Sequence, residues 1–291
     1  MHVSSLFVLC IIFCSIVFSI WKKRFICYTI AIANLIIFFI IYILALLNDY
    51  SVYYELGFIP STIFLPERVY TILTYMYIHA TPLHIIMNML ILILIGAPFE
   101  DRVGSRNFSI IYYATGIMGI IIDGFFDVSS NIPGVGASGA IFGIMGAFAL
   151  LYPRDEIPMV LGIIFLERVP VFLAVIVAGV VEFAYVLSST ADNVGHFTHV
   201  ASLVCGICIA KIVVREREKK IKKVNYEKLK EFCKDKKTEE VFEKIMKEEI
   251  EDVKLAWVEH FIELAKCPKC IGKLKLEKNK VFCDCGYELE L

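Results

Sequence analysis

Charge is what the first part of this 291-residue chain has least of. Asp, Glu, Lys and Arg are sparse up to about Ile212 and dense from Arg215 to Glu290. Hydrophobic residues make up 58% of the chain, more than a soluble domain can bury against anything. The scarcity excludes one soluble globule. It divides the chain into a membrane region, roughly 1–212, and a soluble tail, roughly 213–291. A basic stretch before the first apolar run is also missing. Val3 to Ile20 is about one membrane width long, and Lys22-Lys23-Arg24 follow it rather than precede it. That order argues against a cleaved leader and for a first span. A chain-wide disulfide set is excluded as well. Cys10, Cys14, Cys27, Cys205 and Cys208 fall in predicted membrane helices and read as small core residues. The net charge of -1 averages two unlike regions and says nothing about partners.

What is present is a succession of apolar runs. Phe25 to Leu47 is a second span. Asn48 to Ile78 is a long aromatic connection, broken by Pro60 and Pro66, that suits the membrane interface or a surface loop packed on the bundle. A third helix opens near His79 and is expected to run to about Pro98, with Glu100 to Arg106 as a charged turn. Phe108 to Ile122 is the fourth. Asp123 to Val135 is a polar loop leading into an apolar helix that ends near Tyr152. Ile157 to Leu166 is too short to span and is expected at the interface or re-entering. Pro170 to Leu187 and Gly195 to Val214 complete seven spans. Inner loops hold Lys22, Lys23, Arg24, Arg102, Arg106, Arg154 and Arg168, whereas outer loops hold only Arg68. The bias predicts an N-terminus outside and a tail in the cytoplasm.

Polar residues inside these spans carry the chemistry. Ser138 sits at a helix N-terminus, among backbone N–H groups without intrahelical partners. A plain N-cap serine would look the same. His84 and Asn88 are four apart and share a helix face, where they serve either function or helix–helix adhesion. His79 lies nearer the loop and reads as a brace. Gly139, Gly143 and Ala147 form one smooth strip, and Ser202, Gly206 and Ala210 form another. Docking the two brings His199 toward Ser138. A serine needs an adjacent base to attack a carbonyl. His199 supplies one, with His196 as the competing candidate. No Asp or Glu is evident to orient it, so a dyad is expected, with Phe142 stacked on the imidazole. Glu182 is assigned a structural role. Asn88 and the Ser138 N–H are suited to a tetrahedral oxyanion, with His84 as a further donor. The absence of a His-Glu-x-x-His pattern disfavours a metalloprotease.

These residues resemble the rhomboid family of intramembrane serine proteases. The resemblance rests on His79-x4-His84-x3-Asn88, on Gly136-x-Ser138-Gly139 and on His199-Val-Ala-Ser202-Leu-Val-Cys-Gly206, and covers about Phe25 to Val214. It implies an all-α polytopic fold with a six-helix core, to which the span at 3–20 is an addition. It implies Ser138 as nucleophile and His199 as base, with Asn88 and His84 at the oxyanion site and no cofactor for catalysis. It implies transmembrane proteins as substrates, with 48–78 as the embedded first loop. Three departures stand out: Tyr70-Thr71 replaces a common Trp-Arg pair, Ser202 a usual glycine, and Phe142 a frequent tyrosine. A catalytically inactive relative that binds membrane clients is the alternative. A transporter or channel is a weaker rival, suggested only by the intramembrane polar groups.

The tail reads separately. Leu229, Phe232, Val241, Phe242, Ile245, Met246, Ile250, Val253 and Trp257 recur as in short amphipathic helices. The basic first part suits anionic lipid or a solvated linker. Cys267, Cys270, Cys283 and Cys285 match a small zinc ribbon holding one structural zinc ion, although the second pair has one intervening residue instead of two. A cytoplasmic partner, nucleic-acid contact and plain stability are all open as its role. The expected organisation is an extra N-terminal span with its basic turn (1–24), a membrane protease domain (25–214), a charged helical linker (215–266) and the ribbon (267–291).

Overall fold

The computed structural model describes the chain except residues 23–25, 162–163, 189–193, 221–224, 249–250 and 278–279. Lys23, Arg24, Ile250 and most of the turn at 188–194 therefore lie outside the described residues. Two compact units emerge, Met1–Glu216 and Arg217–Leu291.

In the first unit, α1 (Val3–Lys22) is followed by α2 (Ile26–Leu46). The connection after α2 is structured. It holds the short helices α3 (Ser51–Leu56) and α4 (Thr71–Thr74) and two 3₁₀ turns that start at Pro60 and Pro66. A proline suits a first turn because its missing N–H would have no helical partner there. Arg68 stitches this loop together, donating to the carbonyls of Tyr54 at 2.7 Å and Gly57 at 3.3 Å. Tyr70 donates to the Glu55 carbonyl. Tyr70 and Arg68 thus anchor the loop in which the Trp-Arg pair is missing.

Next, α5 (Pro82–Ile91) starts at the Thr81 side chain, which accepts the His84 N–H, and Pro82 stands at its first position. The helix does not stop at Pro98. It widens into a π-helical turn over Leu92–Gly96 and continues as α6 (Ala97–Val103). A proline clashes with the carbonyl four residues back, and a wider turn just before it accommodates that clash. Gly104, at φ 78°, ends the helix. Glu100 is buried, and its carboxylate accepts the N–H groups of Ile26 and Cys27 at the start of α2.

The remaining helices are α7 (Ser105–Phe126), α8 (Ser138–Leu151), α9 (Val171–Ser188) and α10 (His196–Lys220). Between α8 and α9 the expected interfacial segment is an antiparallel hairpin, β1 (Glu156–Leu161) with β2 (Ile164–Pro170). Its register shifts between Ile157 and Met159, flanking Pro158, which has no N–H for the ladder.

Among the described residues, five helical stretches are long and apolar enough to cross a membrane: Ile26–Leu46, Pro82–Val103, Ser105–Phe126, Val171–Ser188 and His196–Val214. Val3–Ser19 and Ser138–Leu151 are apolar but shorter. The unit is that of an all-α multi-pass membrane protein. Its core surrounds α8, where Gly139 to Ile141 and Gly143 to Phe148 are buried. By contrast, Phe172, Ile176, Val180 and Phe183 on α9 are exposed, as a lipid-facing stripe requires.

In the second unit, a 3₁₀ turn (Tyr226–Phe232) leads to α11 (Lys236–Lys247), opened by an Asp235–Thr238 capping box, and then α12 (Glu251–Leu264). A three-stranded antiparallel sheet follows in the order β3 (Lys275–Glu277), β4 (Lys280–Cys283), β5 (Tyr287–Glu290). Leu229, Phe232, Val241 and Ile245 are buried as their spacing predicts, whereas Met246 is exposed. The same core includes Val258, Phe261, Leu274 and Val281, so the sheet and the helices form one packed body.

Backbone approaches backbone where α8 meets α10. A side chain on Gly206 would overlap the Gly143 carbonyl, and one on Gly146 would overlap the Leu203 carbonyl. Gly206→Val should therefore destabilise the protein by about 1–3 kcal/mol, the usual range for overpacking. Thermal unfolding in detergent measures it, and an unchanged midpoint contradicts the backbone contact.

Candidate active site

The loop before α8 is held from several sides. Phe58 and Gly134 exchange backbone hydrogen bonds at 3.0 and 2.7 Å, which ties the first loop to it. The Gly136 N–H donates to the Tyr75 carbonyl at 2.9 Å. His79 is buried, and its Nε2 faces the Ala137 N–H at 3.4 Å. Burial, with His84 nearby, pushes the His79 imidazole down to about 3, so the ring stays neutral and acts as an acceptor. That is the bracing role its position suggests.

Ser138 is the first residue of α8, after Ala137. Its hydroxyl lies 2.7 Å from His199 Nε2. His199 comes from the first turn of α10, brought there by the contact of Gly143 with Gly206. Phe142, one turn beyond Ser138, stacks on the His199 ring with centroids 4.6 Å apart and planes 13° off parallel. Ser202 fits where α7 has no side chain, against Gly119, and donates to the Thr115 carbonyl at 3.2 Å. The His196 ring stacks on Tyr185 at 4.5 Å, and its Nδ1 faces Glu182.

A carboxylate that was not expected near the histidine lies beside it. Glu182 Oε2 lies 2.9 Å from His199 Nδ1 and 2.6 Å from His196 Nδ1. Sequence reasoning recognised Glu182 as a buried carboxylate in need of a partner. It did not reveal which partner, because α9 is apolar all round and offers no face by which to orient it.

His84 and Asn88 reach the same place from α5. The His84 ring occupies the space beside Gly136, where a Cβ would come within 2.7 Å of Nε2 and 3.7 Å of Ser138 Oγ. Asn88 Nδ2 donates to the His84 carbonyl at 2.9 Å, and its Oδ1 is buried with no partner among the described residues. A cavity of about 270 Å³ opens between α5, α8, β1 and α9. Asn88, Ser138, Glu182 and His199 provide its polar wall, and Met87, Ile141, Met145 and Met159 are among its apolar linings. Gly136 has φ 126°, a conformation other residues avoid. Gly136→Ala adds backbone strain to a clash with His84, and should cost about 1–3 kcal/mol. A thermal midpoint equal to that of the unsubstituted protein would show that the loop relaxes freely.

The four tail cysteines also converge. Their sulfurs all lie within 4.8 Å of one another, with Cys270 and Cys283 at 3.4 Å and Cys267 and Cys285 at 3.7 Å. The single residue between Cys283 and Cys285 does not prevent this, because the chain reverses there into Gly286 at φ 85°. Burial opposes ionisation of Cys267, but N–H donors from Cys270 and Lys269 outweigh it and draw the thiol down to about 7. The cluster is compatible with a metal ion.

Comparison with known proteins gives the family. A family model described as a rhomboid domain matches residues 66–216. RHOMBOID-like protein 6, mitochondrial, of Arabidopsis thaliana is 29% identical over 145 residues, which is 50% of this chain and 44% of that protein. Rhomboid-type serine protease 2 of Emericella nidulans is 27% identical over 153 residues, 52% of this chain and 28% of the relative. Rhomboid protease GluP of Bacillus subtilis is 36% identical over 125 residues, 43% and 23% of the two chains. The chain spans less than half the length of each of these relatives. The family model alone covers just over half of the chain, from within the first loop to the last turns of α10, and the chain belongs to the rhomboid family.

Proposed function

We propose that this protein is an intramembrane serine endopeptidase that hydrolyses peptide bonds in or near transmembrane segments of other membrane proteins. The observation that carries the reading is the 2.7 Å contact between Ser138 Oγ and His199 Nε2, at the polar end of a cavity inside an otherwise apolar bundle. Protease relatives give the reading family-level support.

Ser138 Oγ attacks the scissile carbonyl carbon while its proton passes to His199 Nε2. The carbonyl oxygen becomes an oxyanion. Donors for it are the Ser138 N–H, unpaired within its helix, and the second N–H of Asn88, with His84 adjacent. His199 then returns the proton to the leaving amine, and the peptide bond breaks to leave an acyl-enzyme on Ser138. Water, deprotonated by His199, hydrolyses the ester and restores the serine.

The remaining assignments follow the same reading. Residues 25–214 form the protease domain, and 1–24 an additional N-terminal span. The protein is a multi-pass cell-membrane protein with its N-terminus outside and its tail in the cytoplasm. Membrane lipids surround it. Residues 215–266 link to a ribbon at 267–291, for which a cytoplasmic partner is the fitting role. Cys267, Cys270, Cys283 and Cys285 hold one structural zinc ion. Around zinc, thiolates at about 2.3 Å stand about 3.8 Å apart, close to the spacing of these sulfurs. Zinc there supplies cross-linking of the fold and takes no part in proteolysis.

Two measurements test these assignments. Purified protein in detergent is mixed with a single-span substrate and with a fluorophosphonate label. Ser138→Ala and His199→Ala should each lower cleavage by about 10⁴-fold or more, and Ser138→Ala should lose the label. His196→Ala should cost far less than His199→Ala. Unimpaired cleavage by either of the first two variants overturns the assignment. Elemental analysis of the full chain should give one zinc per chain, lost in Cys267→Ser and Cys283→Ser without loss of cleavage. A ratio near zero in the unsubstituted protein removes the zinc.

A further inference from the structure

The hydrolysis described above uses Ser138, His199, Asn88 and His84, and leaves Glu182 without a task. That carboxylate is only 15% exposed and lies in a span with no other charged residue. A charge at such a place is expensive and needs partners. Both of its close partners meet one oxygen, Oε2: His196 Nδ1 at 2.6 Å and His199 Nδ1 at 2.9 Å.

A His-His-Glu group of this kind holds either a metal ion or protons, and the distances decide. Nitrogen and oxygen ligands at about 2.0–2.1 Å around tetrahedral zinc stand about 3.3 Å from one another. The Glu182 contacts are shorter than that, and one or both have the length of charge-assisted hydrogen bonds. The tail cysteines, at 3.4 and 3.7 Å, have the wider spacing that ligands adopt. Protons hold the Glu182 cluster together.

The tautomer follows from the acceptor. An ionised carboxylate can only accept, so His199 carries its proton on Nδ1. The lone pair is then on Nε2, the atom 2.7 Å from Ser138 Oγ. Phe142 fixes the plane of the His199 ring, and the contacts at its two nitrogens fix its rotation within that plane. His196, held flat on Tyr185, binds the same oxygen and keeps the carboxylate from swinging out of reach.

We propose that Glu182 is a positioning residue for His199, clamped by His196, which fixes the Nδ1–H tautomer and stabilises the imidazolium formed when Ser138 attacks. The proton moves from Ser138 Oγ to His199 Nε2 and back out to the leaving amine, while Glu182 stays ionised throughout. This inference rests on the Ser138–His199 reading.

The test reconstitutes the full chain in phosphatidylcholine–phosphatidylglycerol vesicles and measures initial rates over a range of single-span substrate, together with the unfolding temperature. Glu182→Ala should lower kcat by about 10²–10⁴-fold, with KM within about twofold. Glu182→Gln keeps the shape but not the charge, so it should retain the unfolding temperature and still lose most of kcat. Glu182→Asp should recover at least part of the loss. His196→Phe keeps a ring on Tyr185 without the second donor and should fall between the unsubstituted protein and Glu182→Ala. A kcat for Glu182→Gln equal to that of the unsubstituted protein overturns the proposal, as does a loss confined to KM. Inhibition by zinc chloride that disappears in Glu182→Ala, with kcat unchanged, makes the cluster a metal site and also overturns it. If the unsubstituted protein neither cuts substrate nor takes the fluorophosphonate label, the hydrolytic reading fails and this one with it. If it does both and the Glu182 variants match it, this inference alone fails.

Discussion

The α8 and α10 backbones touch at Gly143 and Gly206 with no side chain between them, and the site depends on that contact. Lipid tails are as apolar as leucine, so burial of apolar surface gives little reason for two helices to associate in a bilayer. Close packing has to supply the attraction instead. Dispersion forces fall away within a fraction of an ångström of lost contact, so such an interface tolerates little displacement. Register follows. Ser138 and His199 each lie toward the start of their helices from this contact, and the strip holds their side chains at hydrogen-bond distance. A slip of one helical turn moves a group by about 5.4 Å, which would part them.

Around that contact, three of the polar groups buried in the bundle find partners from distant parts of the chain. Glu100 closes the start of α2, Ser202 answers the Thr115 carbonyl, and Glu182 receives two imidazoles. Each is a local solution to one problem, that an unpaired polar group in a membrane protein has no water to turn to. The tail solves a different problem. Its sheet is small, yet Leu274 and Val281 share a core with Val258 and Phe261, so convergent thiols and apolar packing act together there.

Much of this was readable in the residue order. The Ser138–His199 approach was expected from two strips of small residues spaced by four, and these meet only in part. Gly206 lies against the Gly143 carbonyl, whereas a side chain on Gly143 would meet Thr115 of α7, and it is Gly146 that faces Leu203 of α10. The tail cysteines could be paired by their spacing alone. Other features were hidden for physical reasons. Pro98 reads as a stop, and only the wider turn before it lets α5 continue into α6. Residues 156–170 form a hairpin, although a short apolar run fits a strand and a buried helical segment equally well. Glu182 was visible as an isolated carboxylate. Its meeting with His199 depends on how α9 is rotated about its own axis, and a helix that is apolar all round carries no mark of that angle.

The division of Ser138 and His199 between α8 and α10 has a bearing on biosynthesis. A chain inserted from its N-terminus places Ser138 in the membrane well before His199. Until α10 docks on the glycine strip, the hydroxyl of Ser138 has no base within reach and is no more reactive than any other alcohol. The proposed activity is thus absent from partly inserted chains. Completion of the bundle is then the step that brings the base to the hydroxyl.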